Sequence, residues 1–125
     1  LAADNRDSKE VLIGGLSLSG LPTDRFAFEG FLPVKPGPRR RRLEALRDGG
    51  RTAVVYESPH RLLKTLQDVE AVYGDVTMAC CRELTKQFEE TRRESVRTLR
   101  AHFAARAPRG EFVLVLPPMG KRRDG

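Results

Sequence analysis

A predicted strand runs directly into a predicted helix in the segment TAVVYESPHRLLKTLQD, residues 52–68. Thr52 to Tyr56 is short, apolar and rich in β-branched residues, which favours a buried strand. Ser58 then predicts an N-cap and Pro59 the first helical position. Apolar residues continue at helical spacing until Gly74 ends the helix. This strand-to-helix unit indicates an α/β fold.

Helices and strands alternate along the rest of the chain in the same way. The predicted helices cover residues 10–19, 36–47, 59–73 and 95–106. The predicted strands are an extended stretch that contains Phe26, Phe28 and Phe31 and is ended by Pro33, followed by residues 52–56, 76–81, 89–93 and 112–116. This order predicts an α/β sandwich around a mixed sheet of about five strands. We expect a linker or disordered segment at residues 1–9, one domain at residues 10–118, and a basic tail at residues 119–125.

Composition and charge narrow the class of partner. The chain has 125 residues, of which 39% are hydrophobic and 32% are charged, so we expect a single folded domain with a densely charged surface. The net charge of +6 and a pI near 9.9 favour anionic partners such as nucleic acid, phosphates or an acidic membrane surface. No apolar run approaches the length of a membrane span, and we expect neither a span nor a signal peptide.

The cysteines and histidines give no indication of a metal. Cys80 and Cys81 are adjacent, so on a strand they point to opposite faces. Neither CxxC spacing nor a histidine cluster accompanies them, and we expect reduced, packed thiols in a cytoplasmic protein. His60 and His102 are too few for a dedicated zinc site.

Polar side chains follow two of the predicted buried strands at the point where each strand ends. Glu57, Ser58, His60 and Arg61 follow the first, and the segment RELTKQFEE, residues 82–90, follows the second. Open α/β sheets place ligands at such strand ends. The alternative is local: Glu57 pairs with Arg61, and the second cluster is a solvated turn. If the two strands are neighbours, the two clusters converge into one site.

A basic segment forms a third candidate. Residues 35–51 contain seven basic residues against two acidic ones, including four consecutive arginines at 39–42. Four consecutive arginines cannot all face the core, so most of them reach solvent or a phosphate. We favour contact with nucleic-acid phosphates over a merely solubilising face, and such contacts give salt-dependent affinity. The segment contains no aromatic residue, which argues against a base-stacking platform.

Four segments, in order, are similar to one known family: LSLSGLPTDRFAFEGFLP (16–33), YESPHRLLKTLQD (56–68), RELTKQFEE (82–90) and GEFVLVL (110–116). Over about residues 14–117 the chain resembles the C-terminal half of the bacterial ribosomal RNA small-subunit methyltransferase I family. The resemblance implies S-adenosylmethionine-dependent methylation of the ribose 2′-oxygen of a cytidine in 16S ribosomal RNA. It also implies the tetrapyrrole methylase, or class III, fold.

Family resemblance further implies two α/β domains with the cofactor in the cleft between them. This sequence contains no glycine-rich loop of the GDAGTP type, which the family's N-terminal domain carries. We therefore expect half of an enzyme, inactive without the missing N-terminal domain, and a homodimer in the cytoplasm. The sequence departs from the family pattern at residues 7–11 and at Glu94, where the family tends to have glycine.

The resemblance also assigns roles to individual residues. The residues implied to border the cofactor are Tyr56, Glu57, Ser58, Arg82, Glu83, Leu84 and Thr85. The candidates to accept the ribose proton are, in order, Glu57, Glu83 and Lys86. The residues expected to hold phosphates of 16S ribosomal RNA or the small ribosomal subunit are Lys35, Arg39, Arg40, Arg41, Arg42, Arg61 and Arg82.

Two other functions stay open. One is a non-catalytic basic module for RNA binding or dimerisation, which the absence of the glycine-rich loop and the presence of Glu94 favour. The other is a class III methyltransferase that acts on a small molecule such as a tetrapyrrole. The arginine run argues against this last function, because a porphyrin pocket has no use for a long cationic face.

Overall fold

The computed structural model describes residues 26–83 and 88–119 of the chain. The elements in these ranges are β1 (Phe26–Phe31), α1 (Pro36–Asp48), β2 (Thr52–Glu57), α2 (Leu62–Tyr73), β3 (Thr77–Glu83), β4 (Phe88–Ser95), α3 (Val96–Ala105) and β5 (Glu111–Leu116). Within them, no helix is both long enough and apolar enough to cross a membrane. The helix predicted at residues 10–19, the segment 1–9 and residues 120–125 of the tail lie outside the described ranges.

The five strands form one mixed sheet in the order β1-β2-β5-β3-β4. β1 pairs with β2 in parallel, and every other pairing is antiparallel. The predicted α/β architecture with a mixed five-stranded sheet is therefore confirmed. β5, the last of the described strands, lies at the centre of the sheet, between β2 and β3.

All three described helices pack on one face of the sheet, which we call the helix face. Leu43 of α1, Leu66 of α2 and Leu99 of α3 share one buried cluster with Val55 and Leu114 of the sheet. The opposite face, which we call the second face, carries a separate buried cluster. Its members are Val54, Ala79, Cys81, Val113 and Val115, with Tyr56 packed against them. Side chains alternate between the two faces along each strand.

The cysteines follow this alternation as predicted. Cys80 belongs to the helix-face cluster and Cys81 to the second-face cluster, and both are buried and form no disulfide. Burial is the main cause that raises the pKa of each thiol above its ordinary value. Both thiols therefore remain protonated and packed at neutral pH.

The start of α2 differs from the prediction. The helix begins at Leu62, while residues 59–61 form a turn closed by a bond from the Arg61 N–H to the Ser58 carbonyl. The predicted N-cap at Ser58 is thus wrong: the Ser58 hydroxyl makes no hydrogen bond with any described residue, and the turn places Arg61 at the N-cap position. The Glu57 carboxylate accepts the Ser58 N–H at 2.8 Å at the end of β2.

The strands β3 and β4 are longer than predicted. β3 extends through Arg82 and Glu83, and β4 runs from Phe88 to Ser95, because the two strands keep pairing, with Arg82 opposite Glu90. The Arg82 and Glu90 side chains also form an ion pair at 3.4 Å across this pairing. Arg82 and Glu83 therefore belong to a strand rather than to a solvated turn.

Candidate functional site

The polar ends of β2 and β3 lie at the same edge of the sheet. Both strands are antiparallel to β5, so they run in the same direction and end together. Glu57 and Arg82 both pair with Phe112 of β5, from opposite sides. Two strand spacings of about 4.8 Å place their backbones about 10 Å apart. The condition that the two strands are direct neighbours is not met, because β5 lies between them, but both polar clusters still lie at one edge of the sheet.

Strand alternation divides the candidate residues between the two faces. Tyr56 lies on the second face, and Glu83 is placed there by its register with Glu111 of β5. Burial, followed by the nearby carboxylate of Glu83, raises the pKa of the Tyr56 phenol above its ordinary value. The structure thus brings Tyr56 and Glu83 together across β5, whereas Glu57 and Arg82 point to the helix face.

Two phenylalanines of β1 extend the site around Tyr56. The Phe28 and Phe31 rings lie 5.3 Å and 5.6 Å from the Tyr56 ring, both edge to face. Phe28 is 49% exposed and Phe31 is 54% exposed. Sequence reasoning named Tyr56 but missed these neighbours. The available signal was a phenylalanine-rich edge strand that carries more large apolar side chains than one buried face needs.

Glu57 is enclosed rather than presented to a ligand. It is 2% exposed, and its carboxylate accepts hydrogen bonds from the Ser58 N–H at 2.8 Å, Arg61 Nε at 3.2 Å and Thr65 Oγ1 at 2.6 Å. The local alternative, in which Glu57 pairs with Arg61, is therefore confirmed. Both carboxylate oxygens hold the junction between β2 and α2.

Ser58 leaves a polar group unsatisfied beside this junction. Its Oγ is buried and has no hydrogen-bond partner among residues 26–83 and 88–119. Buried hydroxyls without partners are uncommon in folded proteins and call for a specific explanation. A polar ligand, or a water held by one, would satisfy this hydroxyl at the strand end.

The arginine run does not present a uniform face. Arg39 is only 3% exposed, and its Nε donates to Asp68 Oδ2 at 2.6 Å while its Nη1 donates to the Val34 carbonyl at 2.7 Å. Arg40 Nε donates to the other Asp68 oxygen at 2.8 Å. The expectation that Arg39 contacts RNA is wrong, because its guanidinium is buried and joins α1 to α2.

The remaining basic candidates are accessible. Lys35 and Arg41 are exposed, and the Arg40 side chain is half-exposed despite its bond to Asp68. Arg42 is half-exposed and pairs with Glu29 of β1 at 2.6 Å. Arg61 is partly exposed beside Glu57. Four of these side chains lie on α1 or directly before it, and Arg61 directly precedes α2. We call Lys35, Arg40, Arg41, Arg42 and Arg61 the basic border.

The other predicted residues add nothing to the geometry of the candidate site. Leu84, Thr85 and Lys86 lie outside the described ranges, so their roles stay predictions. Glu94, which departs from the family pattern, pairs with Arg92 at 2.8 Å on β4. Among the residues that the structure describes, no cluster of histidine, cysteine, aspartate and glutamate could hold a metal ion.

Fold and site together define a class: an α/β domain with a candidate ligand site where two interior strands of the same direction end. A comparison with models of known protein families gives no match. Curated relatives do match, and three examples are each named Ribosomal RNA small subunit methyltransferase I. The relative from Synechocystis sp. is 46% identical over 107 residues, which is 85% of this chain and 38% of that protein.

Two further relatives agree. The protein from Mesorhizobium japonicum is 46% identical over 114 residues, 90% of this chain and 39% of its own length. The protein from Pseudomonas aeruginosa is 52% identical over 83 residues, 66% of this chain and 29% of its own length. The chain belongs to the ribosomal RNA small subunit methyltransferase I family, and it corresponds to the C-terminal part of these longer proteins. It spans less than half the length of the relatives it matches.

Proposed function

We propose that the chain is the C-terminal domain of an S-adenosylmethionine-dependent methyltransferase that acts on the ribose 2′-oxygen of a cytidine in 16S ribosomal RNA. The observation that carries this proposal is the 46% identity over 85% of the chain to a protein named Ribosomal RNA small subunit methyltransferase I. The methylated group, the ribose of a cytidine, is taken from the family resemblance of the four sequence segments described above. In this proposal the domain contributes part of the cofactor cleft and a surface for RNA.

The second face at the end of β2 and β3 fits the cofactor. S-adenosylmethionine supplies a methyl group on a positively charged sulfonium. The aromatic ring of Tyr56 and the carboxylate of Glu83 are both groups that attract a cation, and the structure brings them together. The unsatisfied Ser58 hydroxyl adds a hydrogen-bonding group at the same strand end. We propose that these three residues, with Leu84 and Thr85, border the cofactor.

The ribose hydroxyl needs a proton acceptor, because it is a poor nucleophile while it keeps its proton. Glu57 stood first among the candidates, but both of its oxygens already accept bonds inside the protein. We therefore propose Glu83 ahead of Glu57 as the acceptor, with Lys86 as the remaining candidate. Most of the acceleration then comes from alignment of the ribose oxygen with the methyl carbon.

The basic border supplies the proposed RNA surface. Its five side chains are accessible, and Arg39 is excluded because it is buried against Asp68. Phosphate contacts of this kind fix the position of an RNA strand without reading its bases. The exposed rings of Phe28 and Phe31 lie on β1, the strand whose Glu29 pairs with Arg42 of the basic border. An unstacked base could pack against these rings.

Activity is proposed for the two-domain protein and not for these 125 residues alone. The matched region is 38% of the relative from Synechocystis sp., so most of that protein has no counterpart here. We propose that the chain needs the family's N-terminal domain to complete the cofactor cleft. We further propose that the complete protein acts in the cytoplasm as a homodimer.

Joining the N-terminal part of the Synechocystis sp. relative to this chain tests the function. The assay measures transfer of labelled methyl from S-adenosylmethionine to small ribosomal subunits. We expect incorporation with the joined protein, and none with either part alone. A correctly folded joined protein that transfers no methyl group would contradict the proposal.

A non-catalytic RNA-binding or dimerisation module is the second candidate. The observation that favours it is the enclosure of Glu57, which removes the first candidate base from the site. Such a module would bind RNA with an affinity that falls steeply with salt. It would still support no methyl transfer after the N-terminal part is supplied.

A further inference from the structure

A polar pocket lies on the helix face of the same sheet edge. It has a volume of about 280 Å³ and lies between β3, β4 and the segment that joins α3 to β5. Its polar lining consists of Arg82, Glu90, His102, Arg106 and Arg109. Arg82 points into it because strand alternation directs this side chain away from Tyr56 and Glu83.

The pocket carries an excess of positive charge. Three arginines line it against one glutamate. That glutamate, Glu90, is shared, because it pairs with Arg82 at 3.4 Å and with Arg92 at 3.0 Å. Within residues 26–83 and 88–119, neither Arg106 nor Arg109 forms an ion pair. The resident carboxylate therefore leaves most of the positive charge uncompensated.

The contact between Arg82 and Glu90 is also incomplete. Arg82 Nε is buried and donates no hydrogen bond to any described residue, although Glu90 Oε1 lies 3.4 Å away. A guanidinium offers five N–H donors in a planar fork that matches two oxygens of a phosphate. Among the described residues, the long contact to Glu90 leaves most of this donor capacity unused.

Helix stability explains only part of the cluster. Arg106 follows the last residue of α3, where a cation offsets the negative end of the helix dipole. Arg109 lies beyond the last turn, and the dipole effect falls off within that turn. Nothing in the described fold requires a cation at Arg109, which is exposed in the segment before β5.

We propose that this pocket binds one phosphodiester group of the RNA substrate, an inference that rests on the proposed function. Arg106 and Arg109 supply the charge, and Arg82 supplies a donor fork held in place by Glu90. The pocket and the pair of Tyr56 and Glu83 lie on opposite faces of one sheet edge. An RNA strand held by its phosphate on the helix face then crosses the edge, near the start of β5, to reach the second face.

A salt titration of RNA binding tests the pocket. The probe is a fluorescently labelled single-stranded oligouridylate, and the 125-residue chain is compared with Arg106→Gln/Arg109→Gln. We expect the double variant to bind about tenfold more weakly at low salt, as for the loss of one charge-assisted hydrogen bond. The slope of log affinity against log salt should fall by about 0.7, the value for one phosphate contact on a single strand.

Arg51→Gln is the matched control. Arg51 is exposed and directly precedes β2. It therefore lies where β2 begins, whereas the pocket lies at the edge of the sheet where β2 and β3 end. Equal losses in the control and the double variant would overturn the proposal, as would unchanged affinity and slope in the double variant. Circular dichroism verifies the fold, and Arg109→Gln, a change in an exposed segment, repeats the test if the double variant unfolds. The single variant should lose affinity in the same direction.

Two further experiments distinguish a failure of this inference from a failure of the proposed function. Inorganic phosphate that competes as well as the oligonucleotide would indicate a free-phosphate site and overturn the assignment to RNA. If the joined enzyme methylates small subunits normally with Arg106→Gln/Arg109→Gln, the pocket proposal fails while the proposed function stands. If the joined enzyme transfers no methyl group but RNA binding still depends on both arginines, the proposed function fails and the pocket remains an RNA site.

Discussion

The ion pair between Arg39 and Asp68 predicts a large loss of stability for Asp68→Asn. Both side chains are almost fully buried, and the two Asp68 oxygens accept bonds from Arg39 at 2.6 Å and Arg40 at 2.8 Å. The substitution removes the negative charge and leaves the Arg39 guanidinium buried without a counter-ion. Breaking one partner of a buried pair costs about 3–5 kcal/mol. The whole free energy of unfolding of a domain is about 5–15 kcal/mol.

Urea denaturation of the 125-residue chain, followed by circular dichroism, measures this loss. We expect a lower midpoint for Asp68→Asn with an unchanged dependence of free energy on urea concentration. Asp48→Asn is the matched control, because Asp48 pairs with Arg47 at 2.9 Å but is well exposed. Exposed pairs contribute about 0–1 kcal/mol, so the control should stay close to the unmodified chain.

A double substitution separates the charge from the packing. Arg39→Met/Asp68→Leu replaces the buried pair with apolar side chains, and such replacements are often neutral or stabilising. We expect it to recover most of the stability that Asp68→Asn loses. A loss below about 1 kcal/mol for Asp68→Asn would refute the reasoning. Arg39 would then be free to join the basic border as an RNA contact.

Three further predictions concern Glu57, the cysteines and Arg41. Glu57→Gln should destabilise the domain by about 2 kcal/mol or more in the same denaturation, because three donors lose a charged acceptor, and a loss under about 0.5 kcal/mol would contradict this. Because burial raises the pKa of Cys80 and Cys81, the native chain should resist thiol reagents at neutral pH, and stability should fall as the pH rises above about 8.5, the pKa of an unfolded thiol. Rapid labelling of folded protein would disagree. Arg41→Gln should reduce the salt slope of RNA binding by about 0.7, and an unchanged slope would remove Arg41 from the basic border.

The elements could be predicted from the sequence, whereas the order of strands could not. Residues 52–56 combine β-branched and apolar residues, and that local pattern is enough to identify β2. The position of β5 between β2 and β3 depends on pairings between residues far apart in the chain, such as Glu57 with Phe112. No local pattern encodes such a pairing.

The start of α2 shows how a correct local signal gives a wrong boundary. Ser58 and Pro59 are typical of a helix start, but a turn closed by the Arg61 N–H and the Ser58 carbonyl precedes the helix, and the Ser58 hydroxyl caps no described N–H. The burial of Arg39 was beyond prediction because its partner Asp68 lies 29 residues away.

The division of the candidate site between the two faces depended on where the strands end. Side chains alternate along a strand, so Tyr56 and Glu57 face opposite sides, as do Arg82 and Glu83. The sequence predicted strands that end at residues 56 and 81, whereas the structure extends them to Glu57 and Glu83. The aromatic neighbours of Tyr56 required the structure, because the parallel pairing of β1 with β2 brings Phe28 and Phe31 into place.

Cofactor affinity of the joined two-domain protein tests the central claim most directly. Calorimetric titration with S-adenosylmethionine should detect binding to the joined protein and none to these 125 residues alone. Tyr56→Leu should weaken that binding by about tenfold, equivalent to about 1.4 kcal/mol. Arg93→Gln, a change of an exposed residue on the edge strand β4, should leave it unchanged. Full affinity in Tyr56→Leu, or no binding by a folded joined protein, would contradict the claim that this sheet edge forms one wall of the cofactor cleft.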